Sequence, residues 1–81
     1  MKEIDNLIRE VILEVIKENE IHYSGEMEDN YSFNDDLGID SLNMIHLVVK
    51  VEDKFNVDMF SEGKISTVKE LIDFIKKKKN V

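Results

Sequence analysis

Apolar residues recur every three or four positions in separate stretches of this chain, and no proline interrupts any of them. That spacing places them on one side of a 3.6-residue helix, so the chain is constrained to pack helices against helices. The first stretch covers residues 2–18. Ile4, Leu7, Ile8, Val11, Ile12, Val15 and Ile16 form its stripe, with Glu3, Asp5, Arg9, Glu10, Glu14, Lys17 and Glu18 mostly opposite. Each buried Ile, Leu or Val contributes roughly 1.5–3 kcal/mol before entropy is subtracted, so this helix is scaffold. Glu14 and Glu18 face away from the stripe, and Glu10 with Glu14 makes a like-charge pair of slight cost.

The stretch from Asp36 to Phe55 holds a tight turn at Gly38, an N-cap at Asp40 and a helix beginning at Ser41. At about 100° per residue from Ser41, Met44, Leu47, Val48, Val51 and Phe55 fall in one arc of about 240–340°, the natural core face. Leu42, Ile45 and Val49 fall in a second arc of about 40–100°, beside Ser41. Two arcs exceed what a single-sided amphipathic helix needs. Either both are buried in a bundle, or the second stays exposed as a docking stripe beside Ser41. The Ser41 hydroxyl stands at the positive end of the helix dipole, where an attached phosphodiester meets a favourable field and unpaired backbone donors.

Between the two helices, residues 19–35 read as a loop of about 17 residues, long for a compact domain. Ile21, Met27 and Phe33 are its expected apolar pins. Its acidity invites a calcium test. The Asp-x-Asp-x-Asn-Gly spacing is absent, and setting Gly38 at the sixth position puts Phe33 at the first, so an EF-hand is rejected. After Phe55, Asp58 caps a short helix over Met59–Glu62 that Gly63 ends. Ser66 or Thr67 then caps a last helix with Val68, Leu71, Ile72 and Ile75 inward and Phe74 at the edge. Lys76 to Lys79 complement its dipole and continue as a solvated tail. The expected fold is all-α, a small four-helix bundle with a long first loop and a short third helix. Eighty-one residues make one domain, residues 1–81, with a modest core and no room for a two-layer catalytic cleft.

Eleven basic against 18 acidic side chains give a net charge of −7, and residues 20–40 carry seven acids with no Lys or Arg. Nucleic acid needs a basic face and is disfavoured as a partner, whereas basic protein surfaces are favoured. The longest apolar run is far short of a membrane span, and the start has neither a signal-peptide core nor acid-poor transit character, so a cytoplasmic protein is the expectation. Cysteine is absent, which excludes disulfides, thiolate metal sites and cysteine nucleophiles. Two histidines without cysteine make a poor metal site. A hydrolase acting through Ser41 needs a base. His46 lies about 140° round the helix from it. His22, in the loop, is not excluded by geometry, but there is no Gly-x-Ser-x-Gly turn. The enzyme reading is rejected.

Asp36-Leu37-Gly38-Ile39-Asp40-Ser41-Leu42, with the helix that follows, resembles the modification site of acyl carrier proteins. The resemblance runs from Ser32-Phe33 through Phe55 and resumes at Lys64-Ile65-Ser66-Thr67-Val68, and the chain length fits. In that family the serine of an Asp-Ser-Leu triplet carries a 4'-phosphopantetheine arm. The resemblance therefore implies Ser41 as the attachment residue, flanked by Asp40 and Leu42, and acyl groups held as thioesters whose thiol comes from the prosthetic group. It implies a phosphopantetheinyl transferase as partner. It also implies acyl-transferring and condensing enzymes of fatty-acid or polyketide-type biosynthesis, with basic docking surfaces that meet Asp35, Asp36, Asp40, Leu42, Ile45 and Val49. The carrier is expected to be a monomer without a membrane partner, and Val48, Val51, Ile65 and Leu71 are candidate walls of a cavity for the acyl chain, with ordinary core as their default role. Positions often acidic in the family are here Asn43, His46 and Lys50, which implies a restricted partner set, and the family's proline near Phe60 is missing. Peptidyl carriers commonly show Gly-Gly-His-Ser where this chain has Asp40-Ser41. An unmodified helical adaptor binding through Leu42, Ile45 and Val49 is the alternative from a different class.

Overall fold

The computed structural model describes residues 2–21, 23, 27–59, 63 and 65–79, with the backbone alone at residues 2 and 3. Three helices appear among them: α1 (Lys2–Glu18), α2 (Ser41–Phe55) and α3 (Val68–Lys79). α1 packs against both of the others. The short helix expected over Met59–Glu62 lies for the most part outside the described residues; Met59 itself is buried. No helix among the described residues is long and apolar enough to cross a membrane.

The periodic stripes form the core. Ile8, Val11, Ile12, Val15 and Ile16 of α1 meet Leu47, Val48, Val51 and Phe55 of α2 and Val68, Leu71, Ile72 and Ile75 of α3. Phe74, expected at the edge of its helix, is buried as well. α1 covers one flank of α3, and the segment before α2 is bonded to its first turn, so a wider arc of the helix loses solvent than one contact face requires.

The helix ends that face the connecting segments are closed by local devices. α1 ends through Glu20 in a left-handed conformation (φ 56°), with the Ile21 amide donating to the Ile16 carbonyl. Asn56 (φ 57°) ends α2 in the same way and donates to the Glu52 carbonyl. Thr67 caps α3: its hydroxyl accepts from the Glu70 amide at 3.1 Å, and the Glu70 carboxylate accepts from the Ser66 and Thr67 amides. The next amides, Val68 and Lys69, donate to the Tyr31 and Asp29 carbonyls, so the acidic loop satisfies donors that a helix start leaves open.

The same loop is held at two further levels. Arg9 of α1 pairs with the Asp29 carboxylate and donates to the Met27 carbonyl. Ile21 and Met27 lie half-buried against the core and Phe33 is fully buried, as expected of the pins; Leu37 and Ile39 join them. α1 and α2 are also tied by charge. Lys50 reaches Glu14 at 3.3 Å and Glu18 at 3.2 Å, and the His46 Nε2 lies 3.0 Å from Glu18. The Lys50 ammonium is pushed above its ordinary range, chiefly by its hydrogen bond to Glu18; burial opposes the shift, and the hydrogen bond to Glu14 adds to it.

Candidate functional site

The site begins in the turn before α2, where apolar and acidic residues point opposite ways. Phe33, Leu37 and Ile39 are buried, while Asn34, Asp35, Asp36, Gly38 and Asp40 are exposed. Ser32 organises the turn: its carbonyl accepts from the Asp36 and Leu37 amides, and its hydroxyl accepts from the Asp35 amide at 3.1 Å. The Asp36 carboxylate closes the loop by accepting from the Ser32 amide at 2.7 Å. The chain then passes through Gly38 at φ +74°, where a Cβ would also meet the Ile21 side chain at 3.3 Å. The Ile39 amide returns to the Phe33 carbonyl at 2.7 Å. Five residues of acidic loop are thus bolted to the core immediately upstream of Ser41.

Asp40 is extended (φ −85°, ψ −174°) and its carboxylate accepts from the Asn43 amide at 2.9 Å, while the Asn43 side chain returns a longer bond of 3.5 Å from the Asp40 amide. This reciprocal box uses Asn43 where glutamate or glutamine is more usual. It fixes the first turn of α2 with Ser41 as its first helical residue, exposed, its hydroxyl without a hydrogen-bond partner among the described residues. The Asp40 carbonyl already takes the Met44 amide, leaving the Ser41 and Leu42 amides at the open end of the helix.

On the α2 surface beside Ser41, Leu42, Ile45 and Val49 are 76%, 58% and 52% exposed. They form an apolar stripe that the core does not use. Asp35, Asp36 and Asp40 lie on the exposed side of the preceding turn, so the structure brings acids and stripe to either side of one hydroxyl. Two of the acids also have structural duties: Asp36 closes the turn and Asp40 caps the helix, whereas Asp35 contributes only its backbone amide.

Two clefts open at Ser41. One, of about 490 Å³, is rimmed by Ser32, Asn34, Asp35, Asp40 and Ser66 over Phe33 and Ile39. The other, of about 330 Å³, is walled by Ile45, Val48, Met59, Gly63 and Ile65. Ser41, Met44 and Ile65 belong to both. Of the four residues expected as candidate walls of an acyl cavity, Val48 and Ile65 line the smaller cleft, and Val51 and Leu71 are fully buried in the core. Met44, Met59 and Gly63 escaped the sequence reading. Met44 alone had left a signal, lying on the core arc only one turn beyond Ser41.

No group of three or more acidic or histidine side chains converges as a metal site among the described residues. His46 faces Glu18 and the Asn19 amide group at 3.0 Å each, away from Ser41, and His22 lies outside the described residues. An exposed primary hydroxyl at a helix start, unpartnered among the described residues and with room on two sides, fits a phosphodiester-linked arm.

Residues 6–75 match the family model for the phosphopantetheine attachment site. Two acyl carrier proteins from Buchnera aphidicola subsp. Acyrthosiphon pisum, of strains Tuc7 and APS, are similar to the chain. Each is 39% identical over 82 residues, spanning 96% of this chain and 95% of the relative.

Proposed function

Since this chain belongs to the acyl carrier protein family, whose prosthetic group is a covalently attached 4'-phosphopantetheine, we propose that Ser41 is its attachment residue and that the chain delivers acyl groups as thioesters to partner enzymes. The observation that carries this reading is the exposed Ser41 hydroxyl, without a bond among the described residues, at the first turn of α2 between three acids and an apolar stripe. The arm supplies the thiol that a cysteine-free chain lacks. The protein's own residues do the rest. The Asp40–Asn43 box holds the helix start rigid, and the open Ser41 and Leu42 amides with the dipole favour a negative group there. Asp35, Asp36 and Asp40 steer basic partner surfaces, and Leu42, Ile45 and Val49 supply the apolar contact once they arrive. The phosphopantetheinyl transferase is the first such partner, followed by acyl-transferring and condensing enzymes. Asp40 and Leu42 flank the modified residue in all of these encounters.

The cargo is aliphatic, of the fatty-acid type more than the polyketide type. Ser41 is the single polar side chain among the described walls of the smaller cleft, so an oxidised chain would bury carbonyl groups there without donors. The partner set is restricted. Asn43, His46 and Lys50 are committed to the helix cap and to Glu14, Glu18 and Asn19, so the flank of α2 toward α1 offers partners no acidic side chain of its own at these positions. The chain works as one cytoplasmic, monomeric, non-catalytic carrier domain, with the segment 59–62 completing a four-helix bundle of acyl-carrier type.

Co-expression with a phosphopantetheinyl transferase, followed by intact-mass measurement, tests the reading. A gain of one phosphopantetheine that disappears in Ser41→Ala is expected. An unmodified protein would leave a helical adaptor acting through Leu42, Ile45 and Val49.

A further inference from the structure

Both clefts end at the same three residues, and this geometry points to a role for one of them that rests on the carrier reading above. Ser41 and Met44 are one turn apart on the same face of α2, and Ile65 faces them from the chain segment before α3. On one side of this trio the described walls carry hydroxyl, amide and carboxylate groups; on the other the described walls are almost entirely apolar. Met44 and Ile65 therefore form a threshold between a seat suited to the amides of the arm and a seat suited to an aliphatic chain. We propose that Met44 is the specificity-determining residue of this threshold, selecting straight over branched acyl chains for shelter in the cleft.

The chemistry of methionine makes Met44 the adjustable half of the pair. It is half-buried, unbranched and free to change rotamer without moving α2, whereas Ile65 is stiff at its first side-chain torsion. A straight chain crosses beside a thioether that folds away. A chain branched near its middle needs width that Met44 withholds. Each methylene that passes into the apolar cleft gains a factor of about four in the seated population. Met44 thus acts on where the cargo rests and touches neither the bond to Ser41 nor the docking stripe.

The test loads the full-length apo-protein, through a transferase, with acetyl, hexanoyl, decanoyl and methyl-branched decanoyl forms of the arm, and follows thioester cleavage by hydroxylamine. In the wild type, cleavage should slow from acetyl to decanoyl, and the branched chain should be cleaved faster than the straight one. Met44→Ala should bring the branched chain to the straight chain's protection, a change of about fourfold for each methylene newly covered, with the acetyl rate unchanged. Met44→Leu conserves volume, should leave the thermal midpoint of the apo-protein in place, and should widen the gap between straight and branched chains by making the threshold stiffer. Wild-type profiles in both variants, with normal loading and normal length dependence in the wild type, overturn the role of Met44 alone. Failure to load Ser41, or a wild type without length dependence, overturns the carrier or cleft reading and this inference with it.

Discussion

Two leucines stand on either side of the Asp40–Ser41 step, and truncating each to alanine should give opposite results. Leu37 is 1% exposed and Leu42 is 76% exposed. Removing a fully buried leucine costs about 2–5 kcal/mol, the spread depending on how far the surroundings collapse. Leu37 is wedged between the bonded Ser32 turn and Gly38, which limits that collapse. A domain of this size holds only about 4–12 kcal/mol in all, so Leu37→Ala should remove a large share of it. Far-UV circular dichroism should then show a melting midpoint lower by about 10 °C or more, at about 4–8 °C per kcal/mol. Leu42→Ala should move the midpoint by no more than about 0.5 kcal/mol allows. Its effect should appear instead in the kcat/KM for loading by a phosphopantetheinyl transferase, measured where both variants are folded. A loss of about five- to thirtyfold corresponds to an interface contact worth about 1–2 kcal/mol. Equal melting losses in the two variants would make Leu42 part of the core. Full loading efficiency in Leu42→Ala would remove the stripe from the docking surface.

Charge reversal at Asp35 should weaken loading more than reversal at Lys50, and the gap should narrow as salt rises, because Asp35 spends no side-chain bond on the fold whereas Lys50 is turned toward α1. Equal losses would count against an approach from the acidic turn; Asp36 is the poorer probe, since its carboxylate also closes the turn. In alkali, the raised Lys50 contributes stability that is complete below its unfolded value of 10.5 and is lost as pH climbs through the folded value. The Tyr23 phenol, raised from 10.0 by burial first and then by Tyr31, Glu28 and Asp36, acts in the same direction. Urea midpoints against pH should therefore fall above this range, and less steeply in the double variant Tyr23→Phe, Lys50→Met; an unchanged slope would contradict both assignments. Thr67→Ala should cost about 1 kcal/mol, read as a lower urea midpoint with no change in loading.

The helices were legible because local rules and the global fold agree on them. The period in residues 2–18, the Asp40 cap and the apolar arcs after Ser41 give the bounds of α1 and α2, and the capping residues before Val68 give the start of α3. The exposed arc of α2 was legible for the same reason: one angle calculation separates Leu42, Ile45 and Val49 from the buried face. What the period cannot convey is how one helix is rotated against another. Lys50 meets Glu14 and Glu18 across more than thirty residues of chain, so three apparent surface charges proved to be internal ties. Phe74 and Leu37 are both buried, and no helical period marks either; nor does a period mark the backbone bonds by which the loop meets Ser66 and Val68. Val51 and Leu71 take the ordinary core role, since apolarity alone does not separate a cavity wall from a core position.

The most direct measurement is peptide mapping by mass spectrometry of the protein isolated from the cell that makes it. The account predicts a single phosphopantetheine, free or acylated, on the peptide containing Ser41. A protein that carries no such group in its own host, or carries it on another side chain, contradicts the account.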